Sequence, residues 1–463
     1  MNSVSNRIAL VQPFTRDGNY IPNLGLLIIS NVLEQAGYRI KIFDENLKKD
    51  ILEDLVSFDP FMIGFTAVTA AINRVHETAQ ELKRDLPNTY IAVGGPHATL
   101  LPEEVLKNPA IDFCIVGEGE FPFLELVQAL TQSKNVESIQ NLVFKNDGKV
   151  VRNAVRPLLT SDELDQLPPP AFHLLDLKKI FPNIAHGLYS RGKRILPLMT
   201  SRGCPYSCTF CCRMMGKEVR KLNPERVLEE IDRLVNVFKV DEIYFEDDNF
   251  TVDRKRALFI LNAIKERYPG LHLKFANGIR ADRVDEEILK ALLGAGGYWI
   301  GFGIESGSPN TLKKMKKSLD LETAKKNVAL ANKLGFKTGA NMIIGYPDET
   351  WADIKQSLSF FLSLDLDSLA IVNLIPFPGT EVHKLCAEKG YLTKEASNYD
   401  NYFFGIFNIQ TLIKTPSLSP MQLKLAVRYS YFKFYFLSGK RLPKFVRLAL
   451  SRILIPKLTK RKR

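Results

Sequence analysis

Three of the six cysteines lie within a run of eight residues, Cys204-Pro-Tyr-Ser-Cys208-Thr-Phe-Cys211. A short apolar run that ends at Met199 precedes them and predicts a buried strand, so the cysteines follow the carboxyl end of that strand. Loops at this end of the strands carry the chemistry of α/β folds. Three thiolates on one loop can bind one metal centre, and iron–sulfur clusters are normally held by cysteine thiolates. One iron of a four-iron cluster would then lack a protein ligand, which leaves a coordination position open for catalysis.

Two other interpretations of this loop are open at this point, namely a zinc site and a cysteine-rich loop without a metal. Structural zinc usually has four ligands in two pairs, and the nearby candidates for a fourth ligand are Cys212 and His186. Cys212 directly follows the third cysteine and is interpreted as a bystander. The remaining cysteines, Cys114 and Cys386, are predicted to be buried apolar residues.

The residues before the cysteines are predicted to form a separate α/β unit. Helical periodicity over residues 24–36 and 71–85 alternates with apolar runs, which favours a doubly wound parallel sheet. The predicted strands cover residues 8–11, 38–43, 61–65, 90–93 and 113–116. Three loops directly follow strands, at the edge where such sheets bind ligands; they begin with Thr66, with Gly94-Gly95-Pro96-His97 and with Gly117-Glu118-Gly119-Glu120. A β-hairpin is predicted over residues 141–151, and a proline-rich run at 165–170 marks a linker.

A second α/β series begins near residue 195. Its predicted strands cover residues 196–200, 242–245, 271–276, 298–304, 337–344 and 368–374, and helical patterns such as 224–238 and 254–267 lie between them. Six strand–helix units predict an open or partial barrel, because a full eight-unit barrel needs about 250 residues. The predicted organisation is therefore an α/β domain over 1–150, a linker over 151–190, a partial barrel over 191–390 and a helical, basic extension over 391–463.

The net charge of +12 is concentrated at the carboxyl end of the chain. Asp400 is the last acidic residue, and residues 401–463 contain 14 lysines and arginines. The first 400 residues carry 49 basic and 51 acidic side chains, so the body of the protein is close to neutral. This distribution argues against a body that binds nucleic acid, but it allows a tail that contacts an anionic surface.

The tail and the chain termini also bear on localisation. Helices are predicted over 421–437 and 443–455, and Lys460–Arg463 adds a basic cluster, a pattern that fits either a solvated tail or peripheral membrane contact. No apolar stretch reaches the roughly 18 residues of a membrane-spanning helix, and the first residues lack a secretory signal pattern. We therefore expect a cytoplasmic protein with reduced cysteines.

The cysteine spacing, with Phe210 just before the third cysteine, resembles the signature of the radical S-adenosylmethionine (radical SAM) enzymes. The resemblance covers about residues 190–385. It implies that Cys204, Cys208 and Cys211 are the catalytic metal ligands and hold a [4Fe–4S] cluster, whose fourth iron binds the amino and carboxylate groups of SAM. It also implies that a reductant such as flavodoxin or ferredoxin drives cleavage of SAM to a 5′-deoxyadenosyl radical.

The same resemblance implies contacts to SAM at the ends of the barrel strands. Glu246 and Asp248 end the second strand, Arg280 follows the third, Glu305 ends the fourth and Gly345 follows the fifth. In related enzymes these strand ends contact the methionyl part, the ribose or amino group, and the adenine of SAM. Taken singly, an acidic residue at a strand end is as often a helix N-cap as a ligand, so the joint placement carries the interpretation.

The first unit resembles the cobalamin-binding, Rossmann-like domain that precedes the barrel in one large radical SAM subgroup. The similar segments are residues 22–26, 94–99 and 116–120, and they imply cofactor-binding roles for Gly94, Gly95, His97, Gly117 and Glu118. Thr66, on the loop after the third strand at the same edge of the sheet, is predicted to bind the cofactor as well. The Asp-x-His-x-x-Gly motif that supplies a histidine to cobalt is absent, so cobalamin is expected to bind without one. His97 would pack the loop or contact the corrin side chains. A dinucleotide is disfavoured because the first loop lacks Gly-x-Gly-x-x-Gly.

These resemblances together predict a cobalamin-dependent radical SAM methyltransferase that acts on an unactivated carbon of a small-molecule, lipid or natural-product substrate. An oxidative cyclase or another rearrangement enzyme with the same cofactors is the alternative. Methylthio transfer is disfavoured because the first unit has only Cys114 and cannot hold a second three-cysteine cluster. A redox- or cobalamin-sensing regulator is a weaker hypothesis, since no part of the sequence resembles a DNA-reading module.

Overall fold

A computed structural model describes residues 6–15, 20–184, 190–275, 277–403, 410–437 and 441–443. The first unit is a seven-stranded sheet with strand order β2-β1-β3-β4-β5-β6-β7. Its strands are β1 (Arg7–Gln12), β2 (Arg39–Asp44), β3 (Met62–Thr66), β4 (Tyr90–Gly94), β5 (Phe113–Ile115), β6 (Leu142–Asn146) and β7 (Lys149–Arg152). Strands β1 to β5 are parallel, whereas β6 and β7 form the predicted hairpin and pair antiparallel at one edge.

Helices cover both faces of this sheet, as the doubly wound prediction requires. They are α1 (Leu24–Gln35), α2 (Leu52–Phe58), α3 (Ile72–Asp85), α4 (Pro96–Leu100), α5 (Pro102–Val105) and α6 (Glu120–Thr131). Because side chains alternate along a strand, Ile8 and Leu10 of β1 pack with α1 and α6, while Ala9 and Val11 pack with α2 and α3. The Asn23 side chain caps α1 by accepting a hydrogen bond from Leu26 N at 2.9 Å, which fixes the helix at the loop after β1.

The connection between the units contains α7 (Ser161–Gln166) and α8 (Leu177–Ile180). Helix α7 includes the first two residues of the predicted linker run 165–170 and ends before its three prolines. The second unit is a six-stranded, all-parallel sheet with order β15-β14-β13-β12-β11-β8. Its strands are β8 (Ile195–Leu198), β11 (Glu242–Phe245), β12 (His272–Phe275), β13 (Gly297–Glu305), β14 (Lys337–Ile344) and β15 (Ser368–Asn373). In the described part of the chain β8 and β15 do not pair, so the sheet is the predicted open barrel.

The helices of the second unit bury their apolar faces in one large core with these strands. They are α9 (Pro224–Asn236), α10 (Arg254–Arg267), α11 (Glu286–Gly294), α12 (Pro309–Lys314), α13 (Leu321–Leu334), α14 (Trp351–Ser363) and α15 (Glu381–Glu388). A feature that the sequence did not predict is a short antiparallel pair, β9 (Ser201–Arg202) with β10 (Arg220–Lys221). This pair encloses the cysteine loop and fixes both of its ends.

The C-terminal extension covers the edge of the barrel. Helix α16 (Pro420–Tyr431) continues as a π-helical turn over Phe432–Phe436, so the predicted helix over 421–437 is not uniformly α-helical. The hydroxyl groups of Tyr431 and Tyr435 accept hydrogen bonds from backbone N–H groups of β15 at 3.1 and 2.9 Å, which satisfies part of the open strand edge. Apart from Pro443, the predicted helix over 443–455 lies outside the described residues, as do the cluster Lys460–Arg463 and His186. Among the helices that the structure describes, none combines the length and the apolarity needed to cross a membrane.

Candidate functional site

The cysteine loop leaves the carboxyl end of β8 and is held tightly at its start. Gly203 has φ of 95°, and a Cβ atom at this position would lie 2.1 Å from the Glu218 carbonyl oxygen, so only glycine fits. Farther along, Thr209 N donates to Met315 O at 3.1 Å, and Val382 N donates to Thr209 O at 3.0 Å. The loop is thus fixed at the top of the barrel on both sides of Cys208.

The three thiols differ in burial and in acidity. Cys208 is buried, Cys204 is half-buried and Cys211 is exposed. A hydrogen bond from Cys211 lowers the pKa of Cys208 to about 6, and the charges of Lys317 and Arg280 also favour its thiolate, despite the opposing effect of burial. The same hydrogen bond raises the pKa of Cys211. The thiolate is the metal-binding form, so of the three cysteines Cys208 is the one whose thiolate the surroundings favour.

The arrangement of the cysteines bears on which metal centre they could hold. Among the described residues, no group of three or more histidine, cysteine or acidic side chains is placed to hold a metal ion. In a four-iron cluster each cysteine binds a different iron, so the three sulfur atoms need not converge on one point. Cys212 is turned to another partner, with its thiol donating to Pro378 O at 3.8 Å. The donor set fits a cluster with three protein ligands.

The acidic residues after β11 have different roles. Asp247 is buried and accepts hydrogen bonds from the Thr200 and Ser201 hydroxyls at 2.7 and 2.5 Å, so it fixes the chain just before the cysteines. Burial raises the pKa of Asp248, while a hydrogen bond from the Gly203 backbone opposes this rise. Asp248 therefore also supports the cysteine loop. Glu246 differs because its Oε1 atom is buried and has no hydrogen-bond partner in the described structure.

Arg280 and the loop after α12 place a positive charge beside the cysteines. The Arg280 guanidinium lies 3.9 Å from the ring centroid of Tyr206, and it donates to the carbonyl groups of Lys317 and Ser318 at 3.0 and 2.8 Å. This places buried Lys317 with its Nζ atom 3.4 Å from Glu305 Oε1 and 5.9 Å from the ring centroid of Phe210. Arg280 thus positions Lys317, which the sequence analysis did not identify because it belongs to an ordinary lysine-rich run.

Two strand ends show how the backbone shapes the site. Glu305 has φ of 71°, a strained conformation for a residue with a side chain, and it directs the carboxylate towards Lys317. Gly345 has φ of 91°, and an added Cβ atom would lie 2.9 Å from Leu423 of α16. Glycine at 345 therefore permits close packing of the C-terminal helix, a role that the sequence analysis did not assign to it.

A cavity of about 540 Å³ lies between the two units. The first unit contributes the loops after its strands, including Thr66, Gly94, Gly95, Gly117 and Glu118. The residues that line it from the second unit are Met199, Arg202, Met214, Met215 and Glu246, which flank the cysteine loop or follow β11. Five of the six residues predicted to bind cobalamin therefore meet at one cavity, and the opposite wall belongs to the cysteine-bearing unit.

The glycines on the wall of the first unit leave room for a large ligand. A Cβ atom on Gly94 would have only the Ile115 carbonyl oxygen nearby, at 3.9 Å, so its side-chain direction is open. Gly95 has φ of 87°, and a Cβ atom there would lie 2.9 Å from Thr66 Oγ1. These positions form a cradle that side chains would fill, which fits a flat cofactor such as a corrin.

His97 does not line this cavity. It is fully buried, its Nδ1 atom is 3.3 Å from Thr69 Oγ1, and its ring packs edge-on against Tyr399 at 4.8 Å between centroids. Burial lowers the pKa of His97 to about 4, so the ring is neutral. Of its two predicted roles, the structure shows the loop packing, and the described cavity lining contains no histidine that could reach cobalt.

Glu118 belongs to a buried ion cluster that joins the two units. Its Oε1 atom accepts hydrogen bonds from Arg202 and Arg220, both at 2.8 Å, and Oε2 accepts from Leu159 N at 2.7 Å. Glu120 completes the cluster by accepting from Arg202 at 2.6 Å. All four charged side chains are less than 9% exposed. These bonds join the two units through Glu118, which also lines the cavity, and its contact to the cofactor stays a prediction.

Both units of the chain match known protein families. The radical SAM superfamily model matches residues 198–361, which include the cysteine loop, and the B12 binding domain model matches residues 14–127. An uncharacterized methyltransferase of Pyrococcus horikoshii is 32% identical over 442 residues, covering 93% of this chain and 92% of the relative. Cytidylyl-2-hydroxyethylphosphonate methyltransferase of Streptomyces wedmorensis is 29% identical, covering 84% of this chain and 82% of the relative.

The fold as a whole is similar to that of a solved structure. The radical SAM methyltransferase TsrM of Kitasatospora setae, solved with cobalamin and a [4Fe–4S] cluster, superposes with a TM-score of 0.69. The alignment covers 83% of this chain and 75% of TsrM at 19% identity. At this identity the likeness concerns the fold, and it extends over both units together.

Proposed function

The chain belongs to the radical SAM superfamily and carries a B12 binding domain before the barrel, and from this premise we propose that it methylates an unactivated carbon of a small-molecule, lipid or natural-product substrate. The observation that supports the proposal is the cavity of about 540 Å³ between the B12 binding domain and the residues flanking the cysteine loop. When bound, the cluster with SAM supplies radical chemistry and cobalamin supplies the methyl group. The protein holds these groups, orients the substrate and excludes water.

Residues of the second unit would hold the cluster and SAM. We assign Cys204, Cys208 and Cys211 as the cluster ligands, because they share one rigid loop and one of them is already acidic. Phe210 and the pair of Lys317 with Glu305 lie on the barrel side of this loop. The carboxylate of Glu305 suits the amino group of SAM, and the ammonium group of Lys317 suits its carboxylate. Arg280 helps to position Lys317 by donating to its carbonyl group.

The glycine cradle supplies a test of cobalamin binding that leaves the fold intact. We expect Gly94→Val to reduce corrinoid binding by about tenfold or more, because Gly94 lines the cavity, an added Cβ atom would have only Ile115 O within 4 Å, and the rest of the side chain would take up space in the cradle. Valine is also favoured in a strand, so the melting temperature should change little. Equilibrium titration with aquacobalamin, followed by absorbance, measures the effect. Unchanged affinity would show that the corrin lies elsewhere.

Glu246 is the residue that we assign to the substrate. It lines the cavity from the barrel side, and its buried Oε1 atom lacks a hydrogen-bond partner in the described structure. Buried polar atoms are normally satisfied, so a ligand that offers a hydrogen bond would complete this site. Burial, and secondarily the charge of Asp247, raises the pKa of Glu246 to about 7. The carboxyl group can therefore exchange a proton near neutral pH while it hydrogen-bonds a hydroxyl or amino group of the substrate.

The Glu246→Gln variant tests this placement without the cofactors. In the parent protein the pKa of Glu246 is raised from 4.5 to about 7 by folding, so the parent protein loses stability as the pH rises through this interval. The parent protein should therefore lose about 2 kcal/mol of unfolding free energy between pH 5 and pH 8 that the glutamine variant does not lose. Urea unfolding at both pH values measures this difference. Glu53→Gln, on an exposed position of α2, is the control and should show none. An equal pH response in both variants would contradict a buried carboxyl at 246.

Anaerobic reconstitution with iron, sulfide and cobalamin, followed by incubation with SAM and a reductant, tests the function as a whole. Bound corrinoid together with 5′-deoxyadenosine and S-adenosylhomocysteine is the expected result for methyl transfer. Deoxyadenosine without S-adenosylhomocysteine would favour the oxidative cyclase or rearrangement alternative. Absence of SAM cleavage would favour a regulator. Methyl transfer is the preferred proposal because both relatives described above are methyltransferases.

A further inference from the structure

The C-terminal helix exposes an apolar stripe on its outer face. The stripe consists of Met421, Leu425, Tyr429, Phe432 and Phe436, each between 40% and 66% exposed. The intervals of four, four, three and four residues place these side chains on one side of a helix. Leu437, also exposed, extends the stripe by one residue. Six large apolar side chains at the surface within 17 residues form a patch that calls for a partner.

The opposite face of the same helix packs against the barrel. Leu423, Val427, Phe434 and Tyr435 are buried in the barrel core, and the tyrosine hydroxyl also bonds β15. The orientation of the helix is therefore fixed, and the stripe cannot turn inward without loss of this packing. Phe432 and Phe436 stack on each other at 5.8 Å between centroids, so the stripe is a continuous surface.

Basic side chains flank the stripe. At 100° per residue, Lys424 and Arg428 of α16 lie along one edge of the stripe, and Lys433 belongs to the π-helical turn that continues it. Lys433 Nζ is 5.7 Å from the ring centroid of Tyr429, so its aliphatic stem runs along the stripe. From residue 401 to the end the chain has 14 basic residues and no acidic residue. An apolar stripe between cations is the pattern of a helix that lies in the surface of an anionic membrane.

We propose that the apolar stripe docks this enzyme on an anionic lipid surface, with the stripe in the acyl-chain boundary and its flanking cations on the headgroups. The positive charge beside the stripe indicates which partner would cover it. A second copy, or the basic end of this chain, would bring cations against the Lys424, Arg428 and Lys433 border. Anionic headgroups would neutralise the same border. The proposal goes beyond the methyltransferase reaction and does not depend on it.

Vesicle sedimentation of the full-length protein tests the proposal. The wild-type chain should bind phosphatidylcholine vesicles that contain phosphatidylglycerol about tenfold or more tightly than vesicles of phosphatidylcholine alone. Leu425→Asp combined with Phe432→Asp should weaken binding to the anionic vesicles by about tenfold or more. Phe259→Asp is the matched control, because Phe259 is a 48% exposed phenylalanine on α10, and it should bind like the wild type. Circular dichroism confirms that the variants are folded.

Three outcomes would overturn the proposal. The first is vesicle binding that the double variant retains while removal of residues 444–463 abolishes it, which would assign the contact to the tail alone. The second is a wild-type dimer that the double variant converts to a monomer without any vesicle binding, which would identify a second copy as the occupant. The third is equal binding to neutral and anionic vesicles.

Discussion

Replacement of Cys208 by alanine is expected to abolish cluster binding and SAM cleavage while cobalamin binding is retained. Cys208 is the buried member of the three cysteines, and its thiol is the most acidic of them because Cys211 donates to it and Lys317 and Arg280 are close. Loss of one of only three protein ligands should exceed the roughly 10–100-fold loss that follows from changing outer partners of a metal site. The cobalamin cradle belongs to the other unit, so corrinoid should still bind.

Cys212→Ala provides the matched control for this experiment. It removes a neighbouring thiol whose described contact is the hydrogen bond to Pro378 O, and it should leave the iron content and SAM cleavage close to those of the wild type. Iron and sulfide analysis, the visible absorbance of the reconstituted protein and mass spectrometry of 5′-deoxyadenosine provide the readouts. A Cys208→Ala variant that still cleaves SAM, or a Cys212→Ala variant that loses its iron, would refute the assignment of the ligands.

Arg202→Met is expected to lower the free energy of unfolding by about 3–5 kcal/mol, because it leaves buried carboxylates without a partner. Arg202 is the residue that bonds both Glu118 and Glu120, at 2.8 and 2.6 Å. Arg220 can still compensate Glu118, whereas Glu120 would keep its charge without that ion pair. Corrinoid affinity should also fall, since the cluster holds the barrel-side wall of the cavity against the B12 binding domain.

Arg152→Met is the corresponding control on an exposed ion pair. Arg152 lies 2.6 Å from Glu103, but both side chains are about half exposed, at 46% and 53%. Such pairs contribute about 0–1 kcal/mol, so this variant should be nearly neutral. Adding Glu120→Gln to Arg202→Met should recover part of the lost stability because it removes the stranded charge. Urea unfolding measures all three variants. Equal effects of Arg202→Met and Arg152→Met would show that the buried cluster does not join the units.

Much of the architecture could be predicted from local patterns. Both sheets follow from short apolar runs separated by helical periodicity, and the three cysteines occupy one loop, so their proximity needs no knowledge of the fold. The positive φ of Gly203 is also a local feature, since glycine stands where the chain turns sharply just before the three cysteines. The open barrel followed from the number of strand–helix units, which limits how far a parallel sheet can close.

The remaining features depend on partners that are distant in sequence. Glu118 pairs with Arg202 and Arg220, which are 84 and 102 residues away, so its part in joining the units could not be predicted from its own loop. Lys317 is held at the site by Arg280, which donates to its carbonyl group, and by Glu305, and neither partner is close to it in the sequence. His97 is turned from the cavity by its packing on Tyr399, which is about 300 residues later in the chain. Residue type identifies the chemistry available, whereas long-range packing determines where it is used.

The buried ion cluster also has a thermodynamic consequence. Gly117 lines the cavity beside Glu118, which binds Arg202, and Arg202 is two residues before Cys204. If binding at one cofactor site shifts this short connection, the affinity of the other site changes. Linkage then requires reciprocity, so any factor by which bound cobalamin changes the affinity for the cluster or SAM equals the factor by which they change the affinity for cobalamin. The order of loading would change the path to the assembled enzyme but not its final free energy.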